Sequence, residues 1–279
     1  MNVYEIITED IIKILESGTA PWSSPWAGKG GQPANLITKK PYRGINPWIL
    51  LSAGYTSPYW LTFKQAKDLG GCVRKGEKAR RVIFWKVDQP DGSGDGETPD
   101  RRFVLRYYSV FNVAQEGIDG YIPAVPELPA DHDPIAAAEQ IVNGYAGPSL
   151  DWTSSGAWYR PATDHVSMPP RSIFTSAEGM YSTLFHELAH STGHSSRLNR
   201  PGIVEMAGFG SATYSREELI AELTAAYLMG HAGILAPQIE QSAAYLQSWI
   251  KALRGDARLI VTAAAGAQKA ADYILGEAR

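Results

Sequence analysis

The segment HELAH at residues 186–190 constrains this chain more than any other feature of its sequence. In a helix, residues four apart lie on the same face, so His186 and His190 can direct two imidazoles at one metal ion. Glu187 lies on the adjacent side, within reach of a water molecule at that ion. Zinc acidifies such a water, and a carboxylate can take its proton as the water attacks a peptide carbonyl. The motif therefore predicts a metal-dependent peptidase with Glu187 as general base; the alternative is two ordinary helix histidines beside a solvated glutamate.

The surrounding residues predict that this motif lies on a helix over 176–192. Thr175 and Glu178 have the spacing of a capping box at its start, and Gly193 can end it. Gly193 also fits the glycine of the metzincin pattern, but Ser196 stands where that pattern requires its third histidine. The metzincin class is therefore excluded. His194, one residue past the glycine and just beyond the helix, is a candidate ligand, but we expect it to be a turn or surface histidine.

A carboxylate from a following helix is the alternative third ligand, as in sites built from two histidines and a glutamate. The segment predicted as a helix over 215–230 offers Glu217, Glu218 and Glu222. Ser215 and Glu218 also have capping-box spacing, which would explain Glu218 without a metal. Glu222 lies well inside the helix, where a carboxylate needs a partner.

Glu218 and Glu222 lie one turn apart, which suits a metal ligand plus an acceptor that holds a ligand histidine by its other ring nitrogen. The segment 218–222 resembles the third-ligand helix of several HExxH peptidase families, in which the first acid binds the metal. We therefore expect Glu218 to be the ligand, with Glu222 as its support or as the alternative ligand. Tyr214 is a weaker candidate for stabilising the oxyanion. This donor set predicts zinc, and it also permits manganese or another divalent ion.

The segment GAWYR at 156–160 is a candidate edge strand beside the metal. An extended substrate could pair with such a strand by strand addition. Trp158 and Tyr159 would then face opposite sides of it. The alternative is that these residues only pack a small sheet.

Charge is divided unevenly along the chain. Residues 1–118 contain 16 lysines and arginines against 12 aspartates and glutamates, whereas residues 119–279 contain 10 against 17. Five of the eight tryptophans fall in the first part, interleaved with basic residues, and the segment 62–86 holds eight lysines and arginines against two acids. Cations that follow a phosphate backbone, together with aromatic rings on which bases stack, are typical of single-strand binding without sequence preference. The alternative is that the tryptophans are core residues and the basic run is a solvated face.

The predicted elements indicate an α+β fold: a small N-terminal α/β domain followed by a mainly helical metallopeptidase domain with a short sheet. Helices are expected near 2–17, 46–53, 62–69, 134–144, 176–192, 215–230, 238–253 and 256–276, and short strands near 150–153, 157–160 and 165–168. Strand-like runs on both sides of the polar segment 88–100 predict a long hairpin. The proline-rich segment 119–134 predicts a linker between domains 1–118 and 135–279.

The sequence predicts neither a membrane segment nor export. No stretch approaches eighteen consecutive apolar residues, and the first thirty residues lack a basic start followed by an apolar run. The single Cys72 excludes an internal disulfide and a cysteine-rich zinc site. We therefore expect a cytoplasmic protein.

Several long motifs, in order, resemble ArdC-type antirestriction proteins. KPYRGIN (40–46), SPYWLTFKQAKDLGG (57–71) and VRKGEKARRVIFWK (73–86) are similar to their N-terminal domain, which also begins the TraC-type primases of conjugative plasmids. FHELAHSTGHSSRLNR (185–200) and YSREELIAELTAAYL (214–228) are similar to the metallopeptidase domain that follows in ArdC. The sequence has no primase-like extension, which favours ArdC over TraC.

This resemblance implies a single-stranded-DNA-binding domain joined to a zincin-like peptidase domain. It also implies carriage by a plasmid, phage or other mobile element, and protection of incoming DNA from host restriction. The family's site corresponds to His186, Glu187, His190 and Glu218. The protein substrate is unknown, a host restriction component being one candidate.

We expect the DNA surface to lie in the first 118 residues. The contact candidates in the family-like stretches are Tyr42, Arg43, Trp48, Trp60 and Lys64. The phosphate-contact candidates are Lys75, Lys78, Arg80 and Arg81. The alternative function is a single-stranded-DNA-binding module whose zincin domain binds metal but is catalytically idle.

Overall fold

The computed structural model describes residues 1–23, 26, 31–88, 102–115, 133–205, 211–235 and 242–277. Within these residues the helices are α1 (Val3–Glu16), α2 (Asn46–Leu51), α3 (Phe63–Asp68), α4 (Pro134–Gly144), α5 (Ala177–Ser191), α6 (Pro201–Val204), α7 (Ala212–Ala232), α8 (Ala243–Gly255) and α9 (Leu259–Ile274). The strands are β1 (Ala34–Asn35), β2 (Tyr59–Leu61), β3 (Arg80–Asp88), β4 (Arg102–Asn112), β5 (Ser149–Asp151), β6 (Trp158–Arg160) and β7 (His165–Ser167). The predicted mixture of helices and small sheets is confirmed. None of the described helices has the length and apolar character that crossing a bilayer requires.

Two sheets are present among the described residues. The first has the order β1-β2-β4-β3, and its long β3–β4 hairpin pairs from Arg80 with Val110 to Asp88 with Arg102. This hairpin flanks the polar segment 88–100 as predicted, although the segment itself lies outside the described residues after residue 88. The second sheet has the order β5-β7-β6, so β6 lies at an edge, with β7 as its antiparallel neighbour.

The helix that carries the HELAH segment is α5, and it begins one residue later than predicted. Ser176 is the N-cap, and its hydroxyl accepts a hydrogen bond from the backbone N–H of Gly179 at 3.0 Å. The expected cap at Thr175 is therefore wrong. At the other end, a Cβ added to Gly193 would lie 2.6 Å from Cγ1 of Ile203. Glycine at this position lets α6 pack closely against the end of α5.

The acid-bearing helix α7 begins three residues earlier than predicted. Its N-cap is Ser211, whose hydroxyl accepts a hydrogen bond from the backbone N–H of Tyr214 at 3.1 Å. Ser215 and Glu218 therefore lie inside the helix, and the capping-box explanation of Glu218 is wrong. This leaves the Glu218 carboxylate available to the site.

The largest hydrophobic core contains residues from both sides of the predicted linker. Helix α1 packs against α8 and α9. The ring of Trp48 lies 5.1 Å from that of Tyr227 and 5.6 Å from that of Trp26 (centroid distances), and the Tyr227 hydroxyl donates a hydrogen bond to the backbone oxygen of Gly44. The linker lies outside the described residues except for Asp133 and Pro134, which begin α4. The segments before and after the linker thus stabilise each other through one shared core.

Candidate metal centre

The two histidines of α5 present the same ring nitrogen to one point. His186 and His190 lie one turn apart, with ring centroids 4.7 Å apart and ring planes at 84°. Their Nε2 atoms approach to 3.1 Å. Helix α7 packs against α5 and brings Glu218 to the same point. Its Oε2 lies 3.6 Å from Nε2 of His186, and its Oε1 lies 3.6 Å from Nε2 of His190.

These separations fit a bound divalent ion. Four ligands at 2.0–2.1 Å around a tetrahedral ion lie about 3.3 Å from one another. The donor atoms of His186, His190 and Glu218 lie 3.1–3.6 Å apart by these closest contacts, and all lie within 4.8 Å of one another. Two nitrogens and one carboxylate form the donor set of catalytic zinc sites that keep a fourth position open. The residues present therefore fit the ion that the sequence predicts.

Glu217, rather than Glu222, holds a histidine of this site by its second ring nitrogen. Oε1 of Glu217 lies 3.2 Å from Nδ1 of His190. This contact keeps a proton on Nδ1 and leaves the lone pair of Nε2 directed at the ion position. Burial raises the pKa of Glu217, but its contacts with Arg200 and His190 outweigh that effect, so the pKa is lowered and the carboxylate stays charged.

Arg200 fixes the Glu217 carboxylate from the opposite side. Its Nε and one terminal nitrogen donate to the two carboxylate oxygens at 2.9 and 2.6 Å. The same guanidinium donates to the hydroxyl of Thr192 at 2.6 Å and to the backbone oxygen of Ala189 at 2.8 Å. A Cβ added to Gly202 would lie 2.8 Å from Cβ of Glu217, so glycine there permits α6 to pack against α7. Arg200 therefore couples the end of α5 to the acid that orients His190.

Glu222 has a different environment from the one predicted. Its Oε2 accepts hydrogen bonds from Nε1 of Trp22 at 2.9 Å and from the Tyr245 hydroxyl at 2.5 Å. Among the described residues it makes no hydrogen bond to His186 or His190. Burial raises its pKa. In this structure Glu222, one further turn along α7, is therefore held by Trp22 and Tyr245 and not by a ligand histidine, although its charge still acts on His186.

Glu187 and Tyr214 border the same site. The Glu187 side chain is 9% exposed and makes no hydrogen bond to a residue that the structure describes. Its charge acts on both His186 and Tyr214, so it lies close to each of them. Tyr214 forms a hydrogen bond with Glu218, and burial together with that carboxylate raises the pKa of its hydroxyl. Tyr214 therefore remains a protonated hydrogen-bond donor at neutral pH.

Three of the predicted aromatic DNA contacts are core residues. Trp48 is 0% exposed, Trp60 is 1% exposed and Tyr42 is 7% exposed. None can present a ring face to a base, so the prediction of base stacking is wrong for these three. Composition shows that aromatic residues are numerous, but only packing determines which of them reach the surface.

The predicted basic contacts lie at or near the surface. Lys64, Lys75 and Lys78 are exposed. Arg43 forms an ion pair with Asp272, and Arg81 forms one with Asp10 at 2.5 Å. Arg80 and Arg81 line a cavity of about 400 Å³ beside α1.

Exposed aromatic rings occur instead on the β3–β4 hairpin. Phe84, Trp85, Phe103 and Tyr107 are each at least 41% exposed. Sequence analysis missed Phe84, Phe103 and Tyr107 as surface residues and treated Trp85 only as one of five N-terminal tryptophans. Phe84 lies two residues from buried Val82, and Phe103 and Tyr107 lie two residues to either side of buried Leu105, so strand periodicity alone places them on the same faces as core residues and could not have found them.

Two family models match the chain. Residues 1–111 match the N-terminal domain of the anti-restriction factor ArdC. Residues 136–266 match a family described as zincin-like metallopeptidases.

Relatives match over nearly the whole chain. The protein y4eC of Sinorhizobium fredii is 37% identical over 98% of this chain and 91% of its own length. A DNA primase TraC of Escherichia coli is 37% identical over 98% of this chain, which spans 20% of that primase. Among solved structures, the metal-free crystal structure of antirestriction protein ArdC from plasmid R388 has 38% identity and a TM-score of 0.78, and covers 99% of this chain and 98% of its own. The Mn(II)-bound structure of the same protein has 37% identity, a TM-score of 0.74 and the same coverage.

The contact between Glu217 and His190 leads to a prediction that could not be made from the sequence. Replacing Glu217 by glutamine is expected to lower zinc affinity by about 10- to 100-fold, because the amide can no longer hold His190 with a charge. The control is Glu222→Gln, the same change at a partly buried glutamate of the same helix whose bonds go to Trp22 and Tyr245. Isothermal titration with Zn²⁺, below the melting temperature of each variant, measures both. A larger loss in Glu222→Gln than in Glu217→Gln would contradict the assignment.

Proposed function

We propose a function on the premise that this chain belongs to the family of ArdC-type antirestriction proteins, with an ArdC N-terminal domain and a zincin-like metallopeptidase domain. It binds single-stranded DNA without sequence preference, carries a zinc-dependent HExxH peptidase centre, and protects incoming DNA of a mobile element from host restriction. The observation that carries the enzymatic half is the convergence of His186, His190 and Glu218 beside Glu187. The protein would act in the cytoplasm, where incoming DNA meets restriction enzymes.

The peptidase chemistry divides among five side chains. His186, His190 and Glu218 would hold the ion, which is zinc in our proposal; the Mn(II)-bound ArdC structure supports manganese as an alternative. When bound, a divalent ion supplies a Lewis acid that acidifies water and polarises a carbonyl. Glu187 would accept the proton of the attacking water at its carboxylate and deliver it to the leaving amine. Tyr214 would donate its hydroxyl proton in a hydrogen bond to the developing oxyanion.

The sheet beside α5 supports a peptide as the substrate. Strand β6 pairs with β7 along one side and lies at the edge of its sheet, and it packs against α5. An extended peptide could add to its other side by backbone hydrogen bonds. A protein of the host restriction system is our candidate substrate.

The DNA half of the proposal rests on the first 118 residues. Their excess of lysines and arginines provides the electrostatic attraction, and the exposed rings of the hairpin provide surfaces on which unpaired bases can stack. The ArdC N-terminal domain match and the relative named DNA primase TraC support a nucleic-acid partner. Because a duplex hides the faces of its bases, single strands should bind more tightly than duplexes.

The antirestriction role can be tested by conjugation. A plasmid that expresses the chain is expected to enter a restriction-proficient recipient at least tenfold more often than the same plasmid with the gene deleted. The control is an isogenic recipient without restriction enzymes, in which both plasmids should transfer equally. An equal advantage in both recipients would indicate a general effect on transfer and contradict protection from restriction.

A further inference from the structure

A groove of about 440 Å³ lies between the β3–β4 hairpin and the helices α7 and α9. Trp85 of β3 lines one side of it, and Arg216 of α7 and Lys269 of α9 line the other. Ala265 and Gly266 line the α9 wall, where their small size keeps the groove open. Its volume is in the range of pockets that hold a nucleotide-sized group.

The described lining of the groove is electropositive. Arg216 and Lys269 are exposed, and neither forms an ion pair with a described residue. The acid that lines the groove in the described part of the chain is Glu217, and Arg200 neutralises it. The hydroxyl of Thr213 also lines the groove. Two uncompensated cations with an adjacent hydroxyl are complementary to a phosphodiester.

The wall of the groove that the β3–β4 hairpin forms is aromatic, and the hairpin packs on the main core at this point. Trp85 is 52% exposed and pairs across the hairpin with Leu105, whose side chain is buried in the main core. Partner residues lie on the same face of a hairpin, so Phe103 and Tyr107, two residues to either side of Leu105, share this face with Trp85. Both rings are exposed. The face therefore offers Trp85 at the groove, with Phe103 and Tyr107 as its two diagonal neighbours on the paired strand.

We propose that this groove binds a segment of single-stranded DNA, with a base stacked on Trp85 and the phosphodiester backbone against Arg216 and Lys269. This inference rests on the proposed single-strand binding and assigns a place to it. Phe103 and Tyr107 receive neighbouring bases along the hairpin. The groove also shares Arg200 and Glu217 with the metal centre, because Glu217 contacts His190. A strand bound here lies one side chain away from the predicted metal ligands.

The test measures binding of a fluorescein-labelled dT20 oligonucleotide to the full chain by anisotropy over a range of salt concentrations. Trp85→Ala is expected to weaken binding by roughly 5- to 160-fold with an unchanged salt dependence, because stacking is lost and no charge is removed. Arg216→Ala/Lys269→Ala is expected to flatten the log–log salt slope by about 1.4, which is about 0.7 for each lost phosphate contact. The control, Lys251→Ala/Arg254→Ala, removes two exposed cations from α8, of which Arg254 is paired with Glu16, and should leave the slope unchanged.

A second measurement does not depend on the folding of variants. Wild-type chain is irradiated with dT20 that contains 4-thiothymidine, and crosslinked peptides are mapped by mass spectrometry; crosslinks to β3 and to α7 or α9 support the proposal. Wild-type binding with crosslinks confined elsewhere overturns the groove but leaves single-strand binding intact. Failure of the wild type to bind dT20 overturns the proposed DNA function itself. If free dTMP displaced the labelled oligonucleotide at the same concentration as unlabelled dT20 does, the groove would be a site for free nucleotides and the strand assignment would be overturned.

Discussion

Replacement of His186 by alanine is expected to remove the bound ion, lowering zinc affinity by about three orders of magnitude. Structural four-ligand zinc sites in zinc-finger peptides bind with about 10–16 kcal/mol in total, so one ligand accounts for up to about 4 kcal/mol. Only two donors, His190 and Glu218, remain after this change, and two ligands are too few to bind the ion tightly. Glu218→Ala should cause a loss of the same order, because its oxygens lie as close to the ion position as the histidine nitrogens do.

Metal content of the purified chain and titration calorimetry with Zn²⁺ measure this loss. The matched control is His194→Ala, a histidine just beyond α5 whose Nδ1 contacts the Ser196 hydroxyl at 2.8 Å. That variant should keep about one ion per chain. If His186→Ala retained one ion with wild-type affinity, the ion would be bound elsewhere and the assignment of all three ligands would be wrong.

The local parts of this site could be predicted because they depend on helical periodicity alone. Spacing of four residues places His186 and His190 on one face wherever the helix packs. Position inside a second helix likewise made Glu218 and Glu222 candidates. The start of each helix was less certain, because a serine or threonine one to four residues away can serve equally well as the cap. Ser176 and Ser211 are the caps that the chain uses.

The partners of the neighbouring acids could not be predicted because they come from distant parts of the chain. Glu217 is held by Arg200, which reaches it only because α6 packs against α7. Glu222 is held by Trp22, which lies 200 residues away in sequence. No spacing rule connects such pairs. The sequence therefore predicted which residue types form the site but not how its acids divide their roles.

The shared core also explains why the tryptophan pattern was misinterpreted. Trp48 packs with Tyr227 from the other side of the predicted linker, so its burial depends on a segment that local sequence does not reveal. Trp85 lies on a hairpin whose outer part extends beyond the core, and it remains half exposed. Both residues occur within aromatic and basic stretches of similar composition. Only the tertiary packing distinguishes a core tryptophan from a surface one.

Glu187→Gln is expected to abolish protection from restriction if the peptidase is responsible for it. Glutamine has almost the same shape but cannot accept the proton of the attacking water, and loss of a general base lowers a rate by about 10²- to 10⁴-fold. Zinc content and affinity for dT20 should remain at the wild-type level, because Glu187 is outside the predicted ligand set and does not line the proposed DNA groove. Conjugation into restriction-proficient and restriction-deficient recipients measures the protection, and metal analysis and anisotropy measure the two binding functions.

The result for Glu187→Gln distinguishes the two candidate functions, which are protection by an active peptidase and protection by DNA binding alone. Full protection by this variant, with zinc and DNA still bound, would show that the zincin domain is catalytically idle and that DNA binding alone protects. Tyr214→Phe provides the graded comparison, because it removes only a hydrogen-bond donor beside Glu218 and keeps the base. A loss in Tyr214→Phe of about 10²-fold or more in cleavage rate would identify the hydroxyl as an oxyanion donor. An unchanged rate would leave stabilisation of the oxyanion to the ion, with Tyr214 only positioning the Glu218 carboxylate.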